Sequence, residues 1–542
     1  MPSLRVAACQ LNPTVGAIDA NVDAIIRSLH EAADNGAHLA VFGEIAVAGY
    51  PPEDLLLKVD FVRAVEAGLE RVAAATASLP TAALVGAVQR GGEHAYNVAA
   101  FCRGGRIEAV HRKRHLPNYA VFDEHRWFTP GSTPVPVVEV NGVRVGAVVC
   151  EDAWFAAGPL ADAADAGAEL LVVINGSPYA GGRINDRLSI LRARTAETQR
   201  PIFYVNQVGG QDELVFDGGS LLMRADGSVA ARAPQFVEHQ MILEVDPGAI
   251  QDGPLAHELD QVDEVYAALV LGTRDYVDKN GFGEVVIGLS GGIDSSVVAA
   301  IAADALGPER VHGVAMPSRF SSPESEGDAK LLADNLGIDL RTIPIEPAHA
   351  TLLDMLAPQF GDLPPGLAEE NIQSRIRGVL LMALSNKLGW SPVLTTGNKS
   401  ELAVGYSTLY GDTAGGFAVI RDVPKTLVFA IAHRYNEAAG TDRIPANVLS
   451  KPPSAELRPD QRDDQSLPPY DVLDAILEAY VEDDRSVASI AADGFDEDLV
   501  RRVADLVDRS EYKRRQSPLG PRVTSKAFGR DRRVPVTNQY RG

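Results

Sequence analysis

Cys150 closes an apolar run, Val143-Arg144-Val145-Gly146-Ala147-Val148-Val149-Cys150, and is followed at once by Glu151-Asp152-Ala153-Trp154. A strand end presents a side chain rather than burying it, so a thiol there is a candidate nucleophile. A free thiol of pKa about 8.5 is mostly protonated at neutral pH, and needs a base to take its proton or a cation to stabilise the thiolate. Candidates for both roles occur in the same half: Glu44, just after a short apolar run, and Lys113, within His111-Arg112-Lys113-Arg114-His115. Cys9 and Cys102 lie inside strand patterns and read as small buried hydrophobes. Three cysteines without a CxxC or Cys/His cluster leave no basis for a disulfide framework or a zinc site.

A second group stands at Gly288-Leu289-Ser290-Gly291-Gly292-Ile293-Asp294-Ser295-Ser296, after one apolar run and before a helical one. A glycine-rich strand-to-helix turn lets backbone N–H groups approach a phosphate, and the helix N-terminus adds the positive end of its dipole. The order of residues fits neither the Walker A loop nor the dinucleotide GxGxxG turn. Two glycines, three hydroxyls and an Asp in this order are more specific than a plain βα loop.

The elements that must position these groups can be read from periodicity. In the first 245 residues, strands are expected at 5–12, 38–42, 83–88, 95–102, 143–150, 170–174, 202–206 and 241–245, and helices at 21–35, 61–77 and 186–200. Strands with helices between and around them predict a layered α/β sandwich. Turn residues around Asp246-Pro247-Gly248 and Asp252-Gly253-Pro254 mark a boundary, giving a first domain over 1–246, a linker over 247–261 and a second domain over 262–542. The second half alternates strands at 284–289, 311–316, 340–345 and 392–396 with helices at 294–306, 325–336 and 369–387. That order predicts a mostly parallel, Rossmann-like sheet with ligands beyond the C-terminal strand ends. The stretches 406–417 and 451–469, rich in Gly, Pro, Ser and Asp, are expected as binding or lid loops.

Length and charge bound the rest. A chain of 542 residues with 46% hydrophobic and 23% charged residues is large enough for several cores. A net charge of −23 argues against general affinity for nucleic acid or anionic membrane. With no apolar run of about 18 residues and no signal-like N-terminus, a cytoplasmic location is expected. The C-terminal 511–542 stretch departs from the acidic average, with nine basic residues against Glu511 and Asp531. It reads either as a solvated or RNA-binding arm, or as a basic flap over a polyanionic small molecule.

Glu44, Lys113 and Cys150, in that order and all at strand ends or in loops after strands, resemble the Glu-Lys-Cys triad of the nitrilase superfamily of carbon–nitrogen hydrolases. The resemblance covers roughly residues 4–245 and implies an αββα sandwich. It implies Glu44 as general base, Lys113 as the cation facing the tetrahedral oxyanion, Cys150 as the thioester-forming nucleophile and Glu124 as a supporting glutamate. Gly43 stands where that family often has Pro before the base. From Leu116-Pro117-Asn118-Tyr119 and from Ser177-Pro178-Tyr179 through Arg183, it also implies Tyr119, Ser177 and Arg183 as glutamine contacts.

The second constellation resembles the SGGxDS PP-loop of ATP pyrophosphatases, which cleave ATP between its α- and β-phosphates. Around it lie Thr396-Gly397-Asn398-Lys399-Ser400-Glu401, Asn371-Ile372-Gln373-Ser374-Arg375-Ile376-Arg377, Tyr406-Ser407-Thr408-Leu409-Tyr410-Gly411-Asp412, Asp422-Val423-Pro424-Lys425-Thr426 and Pro452-Pro453-Ser454-Ala455-Glu456-Leu457. With these segments, residues 260–540 resemble the NAD synthetase family. The resemblance implies ATP contacts at Gly288, Leu289, Ser290, Gly291, Gly292, Ile293, Asp294, Ser295 and Thr396. It places Mg²⁺ near Asp294 and Glu401, and a deamido-NAD⁺ site at Asn371, Glu401 and Lys513, with Glu511-Tyr512-Lys513-Arg514-Arg515 closing over the dinucleotide. In Arg462-Asp463-Asp464-Gln465, Gln465 stands where an acid is expected, and no role is assigned there.

A carbon–nitrogen hydrolase joined to an AMP-forming ligase has a chemical logic, since one releases ammonia and the other consumes a nitrogen nucleophile. The two resemblances together imply glutamine hydrolysis through a Cys150 thioester and amidation of ATP-adenylated deamido-NAD⁺, in a homo-oligomer. Two rivals remain at this level. One is another PP-loop amidotransferase, making asparagine or GMP. The other is a non-catalytic, nucleic-acid-binding role led by the basic tail.

Overall fold

The protein, described here as a computed structural model over residues 3–92 and 94–540, divides into two compact units, Met1–Glu258 and Leu259–Gly542. Arg541 of the basic tail lies outside the described residues.

The first unit is built on two six-stranded sheets. One holds β1 (Leu4–Gln10), β2 (Leu39–Phe42), β3 (Ala82–Gln89), β4 (Tyr96–Arg103), β5 (Arg106–Arg112) and, at its far edge, the chain's return strand His239–Val245, in the order return strand-β1-β2-β3-β4-β5. The other holds β6 (Val137–Val140), β7 (Val143–Val149), β8 (Leu170–Asn175), β9 (Ile202–Asn206), β12 (Leu221–Met223) and β13 (Val229–Arg232), in the order β13-β12-β9-β8-β7-β6, while β10 (Val208–Gln211) and β11 (Leu214–Asp217) form a separate hairpin. The return strand is β14. In each large sheet three central strands run parallel, β1-β2-β3 and β7-β8-β9.

Strand alternation sorts the side chains into layers. Val145, Ala147, Leu170, Val172 and Ile174 join Val6, Ala8, Leu39 and Val41 in one core between the sheets. The opposite faces pack helices: α1 (Ile18–Asp34) and α2 (Val59–Ala75) on the first sheet, α3 (Pro159–Asp165) and α4 (Arg183–Thr198) on the second. Burial on both faces makes the central strands continuous apolar runs, which is why they are legible in the sequence. The expected αββα sandwich is the observed one. The edge strand β5, whose residues Arg106, Ile107 and Glu108 are exposed, carries no such run and was not expected. The stretch 247–258, expected as a linker, is hydrogen-bonded along β13: Gly253 N donates to Ala230 O, Arg232 N to Pro254 O and Ala256 N to Arg232 O.

The second unit has a five-stranded, all-parallel sheet of β15 (Glu284–Gly288), β16 (Val311–Ala315), β17 (Asp339–Thr342), β18 (Trp390–Thr395) and β19 (Phe417–Ala418), in the order β17-β16-β15-β18-β19. Its helices are α5 (Gln261–Lys279), α6 (Ile293–Leu306), α7 (Pro323–Leu336), α8 (Glu346–Phe360), α9 (Leu367–Leu388), α10 (Lys399–Val404) and α11 (Lys425–Ala439). Five more follow: α12 (Ala446–Ser450), α13 (Tyr470–Leu477), α14 (Val487–Ala491), α15 (Glu497–Arg509) and α16 (Glu511–Arg514). Strand order reverses at β15, between β16 and β18, so the turn after β15 opens at the switch point where such sheets bind ligands. Helix α8 was not expected, and α9 starts before Asn371, which therefore sits in its second turn rather than at its opening.

Candidate functional site

In the first unit the three expected residues come from three strand ends. Glu44 follows β2, Lys113 follows β5, and Cys150 follows β7 by opening a short 3₁₀ turn, Cys150–Ala153. Cys150 has φ +42°, a left-handed conformation that an L residue holds only when its surroundings impose it. Glu44 and Lys113 are 0% and 1% exposed, so neither is the surface residue that its local sequence suggests. Lys113 Nζ donates to Glu44 Oε1 at 2.7 Å and to Glu124 at 2.9 Å. Glu44 Oε1 also accepts from Asn97 Nδ2 at 2.7 Å, and Oε2 from Gly176 N at 2.9 Å. Tyr50 OH donates to Glu124 Oε1 at 2.9 Å. The close approach rests on Gly86: a Cβ there would stand 2.1 Å from Gly43 O and 2.7 Å from the Glu44 Cα.

Burial and charge set the protonation states. Burial would push the Lys113 ammonium down, yet the carboxylates of Glu124 and Glu44 hold it well above the ordinary lysine value. Burial pushes Glu124 up to about 7, against the pull of Lys113 and with the push of Glu44. Cys150 is raised well above the usual thiol value, first by burial and then by Glu44, with Lys113 opposing. The resting sulfur is therefore a thiol, electrostatically coupled to Glu44, Lys113, Glu151 and Glu124.

Around this centre, Tyr119 OH donates to Glu151 at 3.1 Å, and the Arg183 guanidinium lies 4.5 Å from the Trp154 ring centroid. Ser177 is tied down by a group that sequence reasoning missed. Arg187, on α4, makes a bidentate pair with Asp217 at 2.8 and 2.7 Å and donates to Ser177 Oγ and O. Arg187 read as an ordinary polar position of an amphipathic helix, and its partner arrives from the β11 hairpin strand 30 residues on.

In the second unit Ser290, Gly291 and Gly292 turn from β15 into α6. Gly291 has φ +73°, and a Cβ there would meet Ser325 O at 2.1 Å, so only glycine fits. Ser290 Oγ and Ser295 Oγ lie 3.2 Å apart, while Gly292 N donates to Ser290 Oγ at 3.3 Å. Asp294, in the first turn of α6, accepts from Asn398 Nδ2 at 2.8 Å and is ion-paired with Lys425. The same ammonium bonds Glu401 Oε1 at 3.0 Å. Burial pushes Glu401 up to about 7, Lys425 pulling it down and Asp294 up. Nothing in the sequence assigns a role to Lys425 or to Asn398, the cap of α10; their side chains meet Asp294 only in three dimensions.

Thr396 follows β18 on the same rim. Asn371, Glu401 and Lys513 gather about the loop after α10: Thr408 Oγ1 donates to Asn371 Oδ1 at 2.8 Å, Tyr406 N to Glu401 O, and Lys513 Nζ to Gly405 O and Ser407 O at 2.7 Å each. Five of the tail's basic side chains are ion-paired. Arg514 and Arg515 pair with Glu511, Arg522 with Asp531, Arg532 with Asp508 and Lys526 with Asp484.

Both halves match family models: a carbon–nitrogen hydrolase over residues 5–254 and an NAD synthase over residues 265–517. A glutamine-dependent NAD(+) synthetase from Xanthomonas campestris pv. campestris is 49% identical over 100% of this chain and 98% of its own. The chain belongs to the glutamine-dependent NAD(+) synthetases. A solved structure of the Acinetobacter baumannii synthetase in complex with ADP shares 42% identity and a TM-score of 0.79, covering 99% of both chains. The Cytophaga hutchinsonii synthetase, at 21% identity and TM-score 0.85 over 99% of this chain and 98% of its own, shows the same fold. Membership in this family sets aside the asparagine- and GMP-forming rivals and the non-catalytic reading.

For a synthetase, the fit of Mg²⁺ turns on Asp294 and Glu401. Both carboxylates already hold one cation, the Lys425 ammonium, between them. Mg²⁺ is commonly bound by one or two carboxylates together with substrate phosphates. Among the described residues no group of three His, Cys, Asp or Glu side chains forms a ready-made cage. The two carboxylates beside the 288–295 turn fit that mode. Among the described residues, no helix is long and apolar enough to cross a membrane.

Proposed function

We propose that the first unit hydrolyses glutamine to glutamate and ammonia at Cys150, and that the second uses ammonia to amidate ATP-adenylated deamido-NAD⁺, releasing AMP and pyrophosphate. The observation that carries this reading is that one chain holds both a buried Glu44–Lys113 pair coupled to Cys150 and a PP-loop at a sheet switch point.

In the hydrolase site the resting thiol has to lose its proton as it attacks. Glu44 accepts that proton while the sulfur adds to the glutamine amide carbon, and Lys113 faces the oxygen that becomes negative. The C–N bond then breaks, the proton returns from Glu44 to the departing ammonia, and a thioester remains. Water, deprotonated by Glu44, releases glutamate and restores the thiol. Glu124, raised toward neutrality and bonded to Tyr50 and Lys113, keeps Lys113 oriented. Tyr119, Ser177 and Arg183 form the glutamine pocket, with Arg183 facing the substrate α-carboxylate.

In the ligase site the N–H groups of the 288–295 turn and the start of α6 cradle the ATP phosphates, with Thr396 beside them. Asp294 and Glu401 would hold Mg²⁺, which when bound neutralises charge on the pyrophosphate leaving group. Asn371, Glu401 and Lys513 take deamido-NAD⁺. Burial holds Lys513 below the ordinary lysine value, so this partly desolvated cation gains from an anionic neighbour. The enzyme acts as a homo-oligomer in the cytoplasm.

The test is NAD⁺ formation from ATP, Mg²⁺ and deamido-NAD⁺ by wild type and Cys150→Ala, each given glutamine or ammonium. Loss of only the glutamine-driven reaction in the variant supports both halves. Retained glutamine activity overturns the role of Cys150, and no NAD⁺ from either nitrogen source in wild type overturns the ligase reading.

A further inference from the structure

One carboxylate links the two chain segments that carry the cation and the nucleophile. Asp152, fully buried, is two residues beyond Cys150. Its Oδ1 accepts from the backbone N–H of Arg114 at 3.0 Å and of His115 at 2.9 Å, the two amides directly after Lys113. Its Oδ2 accepts from His111 Nε2 at 2.8 Å, two residues before Lys113, and from Val149 N at 3.4 Å, the amide directly before Cys150. Four donors from segments 111–115 and 149–152 thus end on one side chain. The 111–115 segment meets the chain just beyond Asp152 again where the His115 ring stacks on Phe155 with centroids 4.0 Å apart.

Two features of the neighbourhood need such a link. Cys150 occupies a left-handed conformation in a chain that otherwise leaves β7 extended. Lys113 lies one residue beyond the end of an edge strand, its amide held by Asn97 O and its carbonyl by Gly131 N, both at 2.8 Å, so the direction of the chain after it is set by the 114–115 amides. A carboxylate accepting several N–H bonds gives strong, directional tethers in a dry site. A misplacement of about 1 Å can cost about 100-fold in rate.

We propose that Asp152 is a positioning residue for glutamine hydrolysis: through its bonds to the 111–115 segment and to the turn at Cys150, it sets the separation of Lys113 from the sulfur. His111 completes the clamp. Its Nδ1 has no hydrogen-bond partner, so the ring can change tautomer and accept from a neutral amide at Nε2. Asn in place of Asp152 therefore keeps the Oδ1 acceptor and a viable partner for His111, whereas Ala removes every bond.

The inference rests on Cys150 being the nucleophile, and the experiment separates the two ideas. Wild type, Asp152→Ala, Asp152→Asn and Cys150→Ala are compared by kcat and KM for glutamine hydrolysis. The pH midpoint for alkylation of Cys150 by iodoacetamide is measured for the first three. The titratable and charged groups facing the thiol are Glu44, Lys113, Glu151 and Glu124, with Arg187, Tyr50, Tyr119 and Tyr204 also interacting with it, and Lys113 is the cation that lies within the clamped 111–115 segment. The expected result for Asp152→Ala is a kcat lower by about 100-fold, with KM changed less than threefold. Its alkylation midpoint moves up, because Lys113 no longer stabilises the thiolate as closely. Asp152→Asn, whose NH₂ group cannot accept the Val149 N–H, should recover at least tenfold of the lost kcat yet stay threefold or more below wild type.

A kcat for Asp152→Ala within threefold of wild type, or a lowered kcat with an unmoved alkylation midpoint, overturns the proposal and leaves Asp152 a structural group. Should Asp152→Ala prove insoluble, Asp152→Asn decides. A kcat lowered threefold or more with a raised midpoint supports the clamp, and wild-type values overturn it. Glutamine hydrolysis by Cys150→Ala would instead overturn the nucleophile assignment itself.

Discussion

Asn97 holds Glu44 and Lys113 at once: its side-chain amide donates to Glu44 Oε1 at 2.7 Å, and its backbone carbonyl accepts the Lys113 N–H at 2.8 Å. The base and the cation are therefore registered to the same residue of β4. Asn97→Ala keeps the backbone bond and removes the side-chain one. A hydrogen bond to a charged group contributes about 1.5–3 kcal/mol, so glutamine hydrolysis should slow by about 10- to 100-fold. Steady-state kinetics with glutamine checks this, and an unchanged kcat would show that Lys113 and Gly176 suffice to hold the carboxylate.

Glu124 predicts a pH dependence of stability with a definite sign. Its folded value, pushed up to about 7, exceeds its ordinary carboxylate value, so the folded state binds more protons between the two. The contribution of this group to stability therefore falls as pH rises through that window and levels off above about 7. Glu124→Gln lacks the step. The melting temperature of the variant minus that of wild type should climb as pH rises toward 7 and then flatten; parallel curves would contradict the raised value.

Lys425 stands where two carboxylates converge, and is itself almost fully buried. Removing its charge leaves Asp294 and Glu401 facing each other, and breaking a buried pair in this way costs about 3–5 kcal/mol. Lys425→Met should melt at a lower temperature than wild type in EDTA. Millimolar Mg²⁺ should raise the melting point of the variant more than that of wild type, since the divalent ion then meets two uncompensated carboxylates. Equal Mg²⁺ shifts in calorimetry would argue that the ion binds elsewhere.

Chelation should divide the two activities. No metal enters the Cys150 chemistry, whereas the ligase half is assigned Asp294 and Glu401 as Mg²⁺ ligands. EDTA should abolish NAD⁺ formation from ammonium while glutamine hydrolysis continues, and loss of both together would contradict that division.

The C-terminal segment predicts a second separation of the two activities. Asp422 accepts from Val523 N at 2.9 Å and Thr524 N at 2.8 Å, while Lys399 Nζ reaches Thr524 Oγ1 at 2.6 Å and Lys526 O at 3.0 Å. Lys399 lies between Asn398 and Glu401 on α10, so the tail braces the element that holds Asp294. Deleting residues 520–542 should lower ammonium-driven synthesis by more than tenfold, as the lost tethers to a charged group amount to about 1.5–3 kcal/mol each. Glutamine hydrolysis, whose residues all lie in the first unit, should survive.

The sequence by itself determined the two βα series, because strands buried on both faces are unbroken apolar runs, and it singled out the residue types at their ends. It also determined the turn chemistry of 288–295, since Gly291 must be a glycine where Ser325 O would stand 2.1 Å from a Cβ. Only the tertiary structure decided which polar residues are partners. Asn97, Arg187, Asp152 and Lys425 are ordinary letters in strands, helices and loops, and each acquires its role from a side chain 30 to 131 residues away. The basic tail makes the same point in reverse: its charge looked available when counted along the chain, but Glu511, Asp508, Asp484 and Asp531 pair with it in space. Periodicity and turn residues are local and leave a local record, whereas desolvation and ion pairing depend on what folding brings near. Burial then turned Lys113, one cation among neighbours in a basic run, into a fixed charge between two carboxylates.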